Sequence, residues 1–233
     1  MSRSIEPLCV HGGDHRFPDS RERLSMPIYQ TAAYAHPDLG HSPDRFYYTR
    51  LTNPTRTHLE ETVAALEMAD SCIAFSSGMA AITAVLELFS PGDRILCAAD
   101  LYGGTVLLFD SICKKNGLVP VMADTTDPDA LRAALTPDTK AIYIETPSNP
   151  MMNVTDIRLC AGLAHSVGAV LIVDNTFLSP YFQNPIQLGA DIVIHSGTKY
   201  LGGHNDTLAG FVCLKDATYK ETLYKTSYTL GST

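Results

Sequence analysis

The stretch Ala190-Asp191-Ile192-Val193-Ile194-His195-Ser196-Gly197-Thr198-Lys199-Tyr200-Leu201 carries an apolar segment straight into a lysine flanked by hydroxyls. Residues 190–194 read as a buried strand, with Lys199 just past its exit. A lysine there is costly unless its amine is neutralised or covalently engaged, which points to a Schiff base with an aldehyde cofactor. Pyridoxal phosphate is the obvious aldehyde. Taken alone, a lysine at a strand end more often reaches water, so other sites have to support the reading.

A second site stands upstream. The apolar run Ala169-Val170-Leu171-Ile172-Val173 ends in Asp174-Asn175-Thr176. A carboxylate at such a position pairs with the ring nitrogen of the cofactor and keeps it protonated, so that the ring acts as an electron sink. Without Lys199, Asp174 would read as an ordinary strand-end aspartate capping a turn.

Phosphate capture is the third element. Phe75-Ser76-Ser77-Gly78-Met79-Ala80-Ala81-Ile82 supplies a strand end, hydroxyls, a glycine and an Ala-rich helix start. Backbone N–H groups and the macrodipole at a helix N-terminus favour a phosphate, and Gly78 admits close approach. Capping of the helix by Ser77 explains the serine about as well.

With these residues in place, the chain resembles the pyridoxal-phosphate enzymes of cysteine and methionine metabolism. That group includes cystathionine γ-lyases, γ-synthases and β-lyases, methionine γ-lyases and O-acetylhomoserine sulfhydrylases. The stretch Asp191 to Asn205 is similar to the family's lysine signature along its whole length. Further similar segments follow one order along the chain: Tyr48-Thr49-Arg50 with Asn53-Pro54-Thr55, Ser76 to Met79, Leu101-Tyr102-Gly103-Gly104, Ile144 to Pro150, and Val173 to Phe177. The resemblance covers the chain from Leu8 onward.

It implies the following roles. Lys199 bonds the cofactor and shuttles protons, Asp174 holds the ring nitrogen, Asn149 sits near the phenolic oxygen, and Tyr102 stacks on the ring face and shares the proton work. Ser77, Gly78, Met79, Ser196 and Thr198 hold the phosphate. For Tyr102 the plain reading is a buried tyrosine at a helix start. Substrates with a leaving group at Cβ or Cγ follow, so that a carbon–sulfur bond is made or broken, on cystathionine or an activated homoserine.

Periodicity and turn residues alternate strand with helix, which favours an α/β fold with a mostly parallel sheet and flanking helices. Helices are expected over 58–70 (Leu59, Val63 and Leu66 on one face), 79–89, 103–115, 128–135, 156–167 and 216–225. Strands are expected over 72–75, 94–97, 118–122, 140–145, 169–173, 190–194 and 210–214. The proposed chemistry then falls at strand ends, where open α/β sheets bind ligands. The resemblance sharpens this to the fold-type I, aspartate-aminotransferase-like large domain over 58–233. The family's small C-terminal domain, with the arginine that grips the substrate carboxylate, is expected to be absent.

Residues 1–57 show no clear periodicity, several prolines and the cluster Arg45-Phe46-Tyr47-Tyr48-Thr49-Arg50. Composition favours a solvated loop. The resemblance implies instead an arm that crosses to a neighbouring subunit, with Tyr48 and Arg50 on that neighbour's cofactor phosphate, a task suited to the planar arginine fork. A homo-oligomer is implied, at least a dimer and in the family's usual form a homotetramer.

A net charge of −8 over 233 residues argues against a nucleic-acid surface or a polybasic membrane anchor. No apolar run approaches the roughly 20 residues needed to span a bilayer, and the start has no apolar signal core, so the chain reads as cytoplasmic. The six cysteines, Cys9, Cys72, Cys97, Cys113, Cys160 and Cys213, are scattered among mostly apolar neighbours and read as reduced. No metal is expected: His11 and His15 have helical ligand spacing, but Gly12 and Gly13 disfavour a helix between them.

Gly104 stands where methionine γ-lyases carry a cysteine, which favours cystathionine-type substrates. Three alternatives remain open at this point. A fragment of such an enzyme would bind pyridoxal phosphate without turnover. Nucleotide binding lacks both G-x-G-x-x-G after the first strand and G-x-x-x-x-G-K-[ST], and a cofactor-free scaffold leaves the spacing of Ser77, Asn149, Asp174 and Lys199 unexplained.

Overall fold

A computed structural model describes residues 5–11, 25–35 and 46–233. The chain runs α1 (Ile5–His11), α2 (Pro54–Glu67), β1 (Ser71–Phe75), α3 (Gly78–Leu86), β2 (Arg94–Ala98), α4 (Gly103–Leu108) and β3 (Val119–Ala123). It continues through α5 (Pro128–Ala134), β4 (Thr139–Glu145), α6 (Ile157–Ser166), β5 (Val170–Asp174), α7 (Ser179–Phe182) and α8 (Pro185–Leu188). The last elements are β6 (Ile192–Ser196), β7 (Gly210–Leu214) and α9 (Lys220–Leu230).

The seven strands form one sheet in the order β1-β7-β6-β5-β4-β2-β3. The β2-β3, β2-β4, β4-β5 and β5-β6 pairs are parallel, and β7 is antiparallel to both its neighbours. This is the mostly parallel α/β sheet expected. Its central strands are continuous apolar runs because helices cover both faces, and Ile142, Ile144, Leu171, Ile172, Ile192 and Ile194 are fully buried. Since β7 runs backwards, its first residue lies at the same edge as the carboxyl ends of the other strands.

Helix α2 begins earlier than expected. Asn53 caps it by accepting the Thr55 N–H at 2.8 Å, and Pro54 takes the first turn, where its missing N–H costs nothing. Its buried face passes through Val63, Ala64 and Glu67, whereas Leu59 is exposed, contrary to the expected apolar stripe. Glu67 is buried there because His195 partners it. The expected helix over 103–115 is α4 continued through a π-helical turn, Phe109–Cys113. Phe109 packs edge-on against Tyr143 with centroids 5.7 Å apart. Helix α9 starts later than expected because Asp216 accepts the Thr218 N–H at 2.8 Å and holds a turn.

Of the expected arm, residues 5–11, 25–35 and 46–57 are described, and α1 within it was not anticipated. Arg45 and His15 lie outside the described residues. Five of the six cysteines are buried and free, and Cys9 is exposed. Among the described residues no helix is long and apolar enough to cross a membrane.

Candidate active site

One edge of the sheet gathers every expected site residue outside the arm. Ser77, Gly78 and Met79 follow β1, Tyr102 follows β2, Asn149 follows β4, Asp174 ends β5, and Ser196, Thr198 and Lys199 end or follow β6.

The turn from β1 into α3 is packed tightly against this edge. A β-carbon on Gly78 would fall 2.8 Å from Ser196 Cβ and 3.0 Å from its Oγ. One on Gly210 would fall 2.0 Å from the Ser77 carbonyl oxygen. Ser77 does cap α3, its hydroxyl accepting the Ala80 N–H at 3.1 Å. That leaves the first-turn N–H groups of Gly78 and Met79 without an intrahelical acceptor. Bare backbone donors beside the Ser196 hydroxyl, in a cradle that a side chain on Gly78 would fill, fit the phosphate of pyridoxal phosphate.

The lysine turn is held by its own backbone. The Lys199 N–H donates to Ser196 O at 3.1 Å, and the Gly203 N–H donates to Lys199 O at 2.8 Å. Gly197 leaves room for the Phe211 ring, which would have to shift for a side chain there, since a β-carbon would fall 2.4 Å from it. Thr198 Oγ1 accepts from Ala209 N at 3.1 Å and donates to Ala209 O at 3.3 Å. Lys199 itself is exposed. The burial argument for its amine therefore fails: the strand ends at Ser196 and the turn carries the lysine out to the open edge.

Asp174 is buried, and desolvation pushes its carboxyl up from the ordinary aspartate range. Hydrogen bonds from Thr176, including the N–H at 3.0 Å, and the nearby His195 pull it back down. The turn-capping role is thus real and coexists with a place at the site. Thr176 also accepts the Ser196 N–H at 2.8 Å, linking the ends of β5 and β6.

Tyr102 is 47% exposed, so it is no buried core tyrosine. Its N–H donates to Glu145 Oε2 at 2.7 Å. The Asn149 backbone N–H faces the same carboxyl and favours its charged form, and Glu145 is paired with Asp174 in the β4-β5 register. Burial, with the Asp174 charge second, raises the Glu145 carboxyl to about 7. Beside it opens a cavity of about 370 Å³ reaching Asp100 and Asp124. Met79 and Tyr102 both border Gly104, where a β-carbon would meet Tyr102 Cε1 at 2.5 Å and Met79 Sδ at 3.1 Å.

Tyr48 and Arg50 have other partners. The Arg50 guanidinium lies 5.5 Å from the Tyr48 ring centroid, and Nη1 donates to Tyr228 O at 2.6 Å.

Beneath the edge, a buried network escaped the sequence reading. His195 Nε2 and Glu67 Oε2 are 2.7 Å apart, with side chains 1% and 0% exposed. Asn175 joins them at 3.4 Å from Glu67 and exchanges hydrogen bonds with Gln183, which donates to Thr146 O at 3.0 Å. The signal that could have found it was a histidine inside an apolar strand, since such a group needs a partner.

The fold is that of the large domain of the fold-type I pyridoxal-phosphate enzymes. Residues 6–233 match the Cys/Met metabolism PLP-dependent enzyme family, and the chain belongs to it. It is 46% identical over 232 residues to the cystathionine gamma-synthase/O-acetylhomoserine (thiol)-lyase of Bacillus subtilis, covering 100% of this chain and 62% of that protein. To the cystathionine beta-lyase of Lactococcus lactis subsp. cremoris it is 49% identical over 209 residues, 90% of this chain and 54% of the other. The crystal structure of cystathionine gamma synthase from Xanthomonas oryzae pv. oryzae in complex with cystathionine superposes with a TM-score of 0.94 at 38% identity, covering 100% of this chain and 60% of that one. The chain thus spans between half and two thirds of the length of these relatives.

Proposed function

We propose that this chain carries the cofactor site of an enzyme that makes or breaks a carbon–sulfur bond, acting on cystathionine or an activated homoserine. The observation that carries the reading is the meeting of Lys199, Asp174 and the bare α3 N-terminus at one sheet edge. The names of its relatives support the substrate class, and Gly104 in place of a cysteine favours it over methionine γ-lyase chemistry.

When bound, pyridoxal phosphate supplies an electron sink for charge left at the substrate Cα. The chain's residues do the rest. Gly78 and Met79 N–H groups with the Ser77, Ser196 and Thr198 hydroxyls bind the phosphate, and Asp174 keeps the proton on the ring nitrogen. Tyr102 would cover one ring face and Asn149 would sit near the phenolic oxygen. Lys199 Nζ is the group that would hold the cofactor's aldehyde carbon; its amine would take the proton from Cα and hand it to the leaving group, and for a leaving group at Cγ a second proton must leave Cβ, work that Lys199 and Tyr102 would share.

Residues 1–57 form an arm that reaches a neighbouring subunit in a cytoplasmic homo-oligomer, a dimer at least. There Tyr48 and Arg50 reach the neighbour's phosphate. Among the described residues one Arg50 nitrogen bonds Tyr228, and the rest of the guanidinium fork suits an anion.

A second reading is that these residues bind the cofactor without turnover on their own. Incubation with pyridoxal phosphate and cystathionine, followed by 2-oxo acid release, separates the two. Incubation with an acylated homoserine and cysteine tests the synthase direction. Turnover lost in Lys199→Ala supports the enzyme, and a bound cofactor with neither product supports the second reading.

A further inference from the structure

We propose that Glu145 is a positioning residue: one buried side chain fixes Tyr102 and Asn149 against Asp174, and so sets how the cofactor ring lies among them. The inference rests on the cofactor reading above.

The geometry is specific. Glu145 ends β4 and is only 7% exposed, yet Tyr102, whose N–H it accepts at 2.7 Å, and Asn149, whose N–H faces it, are both exposed. They sit on separate loops, after β2 and after β4. An exposed ring on a loop has nothing in the core to fix it, so its placement depends on the backbone anchor beneath. Asp174 stands directly opposite Glu145 in the parallel ladder. On the proposed roles, Tyr102, Asn149 and Asp174 meet the face, the phenolic oxygen and the nitrogen of one ring, and Glu145 touches the strand or loop that carries each.

The choice of a carboxyl also needs a reason. Burying one beside another carboxyl is costly. What its ionised form offers in return is two acceptor oxygens and no donor, whereas a carboxamide offers one acceptor and places an NH₂ where the second N–H arrives. Two converging N–H groups from different loops are the situation in which that difference matters. The N-terminus of α4, which Tyr102 caps, adds a favourable field for a negative group.

The test is a mutant cycle on the whole chain, read by pyridoxal phosphate affinity and by the visible circular dichroism of the bound cofactor, which reports ring orientation. Glu145→Ala is expected to weaken binding roughly tenfold and to lower the dichroic band at saturation about twofold, with Glu145→Gln recovering part of both. In a Tyr102→Ala, Asn149→Ala background no ring or amide remains to misplace, so adding Glu145→Ala is expected to change neither readout. Should Glu145→Ala fail to fold, Glu145→Gln carries the same cycle. Wild-type affinity and dichroism in both Glu145 variants would overturn the inference, as would a loss of the same size in the double-variant background. A wild-type chain with no Lys199-dependent cofactor band would instead overturn the reading beneath it.

Discussion

Gly210 lies directly under the Ser77 carbonyl, so close that a β-carbon would fall 2.0 Å from its oxygen, 2.5 Å from its carbon and 2.9 Å from Gly78 N. The antiparallel strand β7 thus begins where the turn into α3 needs space. All three clashing atoms are backbone, and none can rotate away. Gly210→Ala is expected to cost about 1–3 kcal/mol in stability and to weaken pyridoxal phosphate binding roughly tenfold. Thermal melting and an absorbance titration check the pair of effects. Wild-type binding in a folded variant would contradict the placement of the phosphate at Gly78.

Gly104 offers the contrasting case. Its nearest obstacle is the exposed Tyr102 ring, which can swing. Gly104→Cys is therefore expected to leave the melting temperature within a few degrees of wild type while shifting the spectrum of the bound cofactor. An unchanged spectrum would argue against Tyr102 over the ring.

The buried His195–Glu67 pair and the surface Lys114–Asp110 pair have similar contact distances, 2.7 Å and 2.6 Å, and different worth. Removing Glu67 leaves a histidine nitrogen buried without a partner. Glu67→Ala is expected to cost roughly 3–5 kcal/mol, whereas Asp110→Ala costs about 0–1 kcal/mol. Urea unfolding of the two variants at one pH measures the difference.

Burial raises Glu60 and Glu145 from 4.5 to about 7. Between those values the folded chain holds protons that the unfolded chain has released. Stability therefore falls as pH rises from about 4.5 to about 7 and levels off above. Each of the two carboxyls contributes at most about 1.4 kcal/mol of loss per pH unit within that window. Glu60→Gln keeps an acceptor for the Ala74 N–H, now at 2.9 Å, and is expected to flatten the slope. An unchanged slope in denaturation midpoints across this range would mean that Glu60 ionises normally.

Much of the fold was legible in the chain. Val170–Asp174 and Ile192–Ser196 are buried on both faces, so they appear as unbroken apolar runs bounded by turn residues. Placing Ser77, Asn149, Asp174 and Lys199 at strand ends followed from that alternation. The sheet order did not, because long-range pairing leaves no local mark, and neither did the reversal of β7 that brings Gly210 beneath Ser77. Nor did the anchor at Glu145: its hydrogen-bond partner is the backbone N–H of Tyr102, 43 residues away, and a backbone donor has no side-chain signature. The exposure of Lys199 was misjudged because an apolar run fixes where a strand ends but not which way the next turn points.

The central claim is a pyridoxal phosphate site built on Lys199, and the most direct test is the absorbance of the purified 233-residue chain with added cofactor, beside Lys199→Ala. The account predicts a band near ~420 nm in the wild type that is missing from the variant. The same band in both proteins, or in neither, would contradict it.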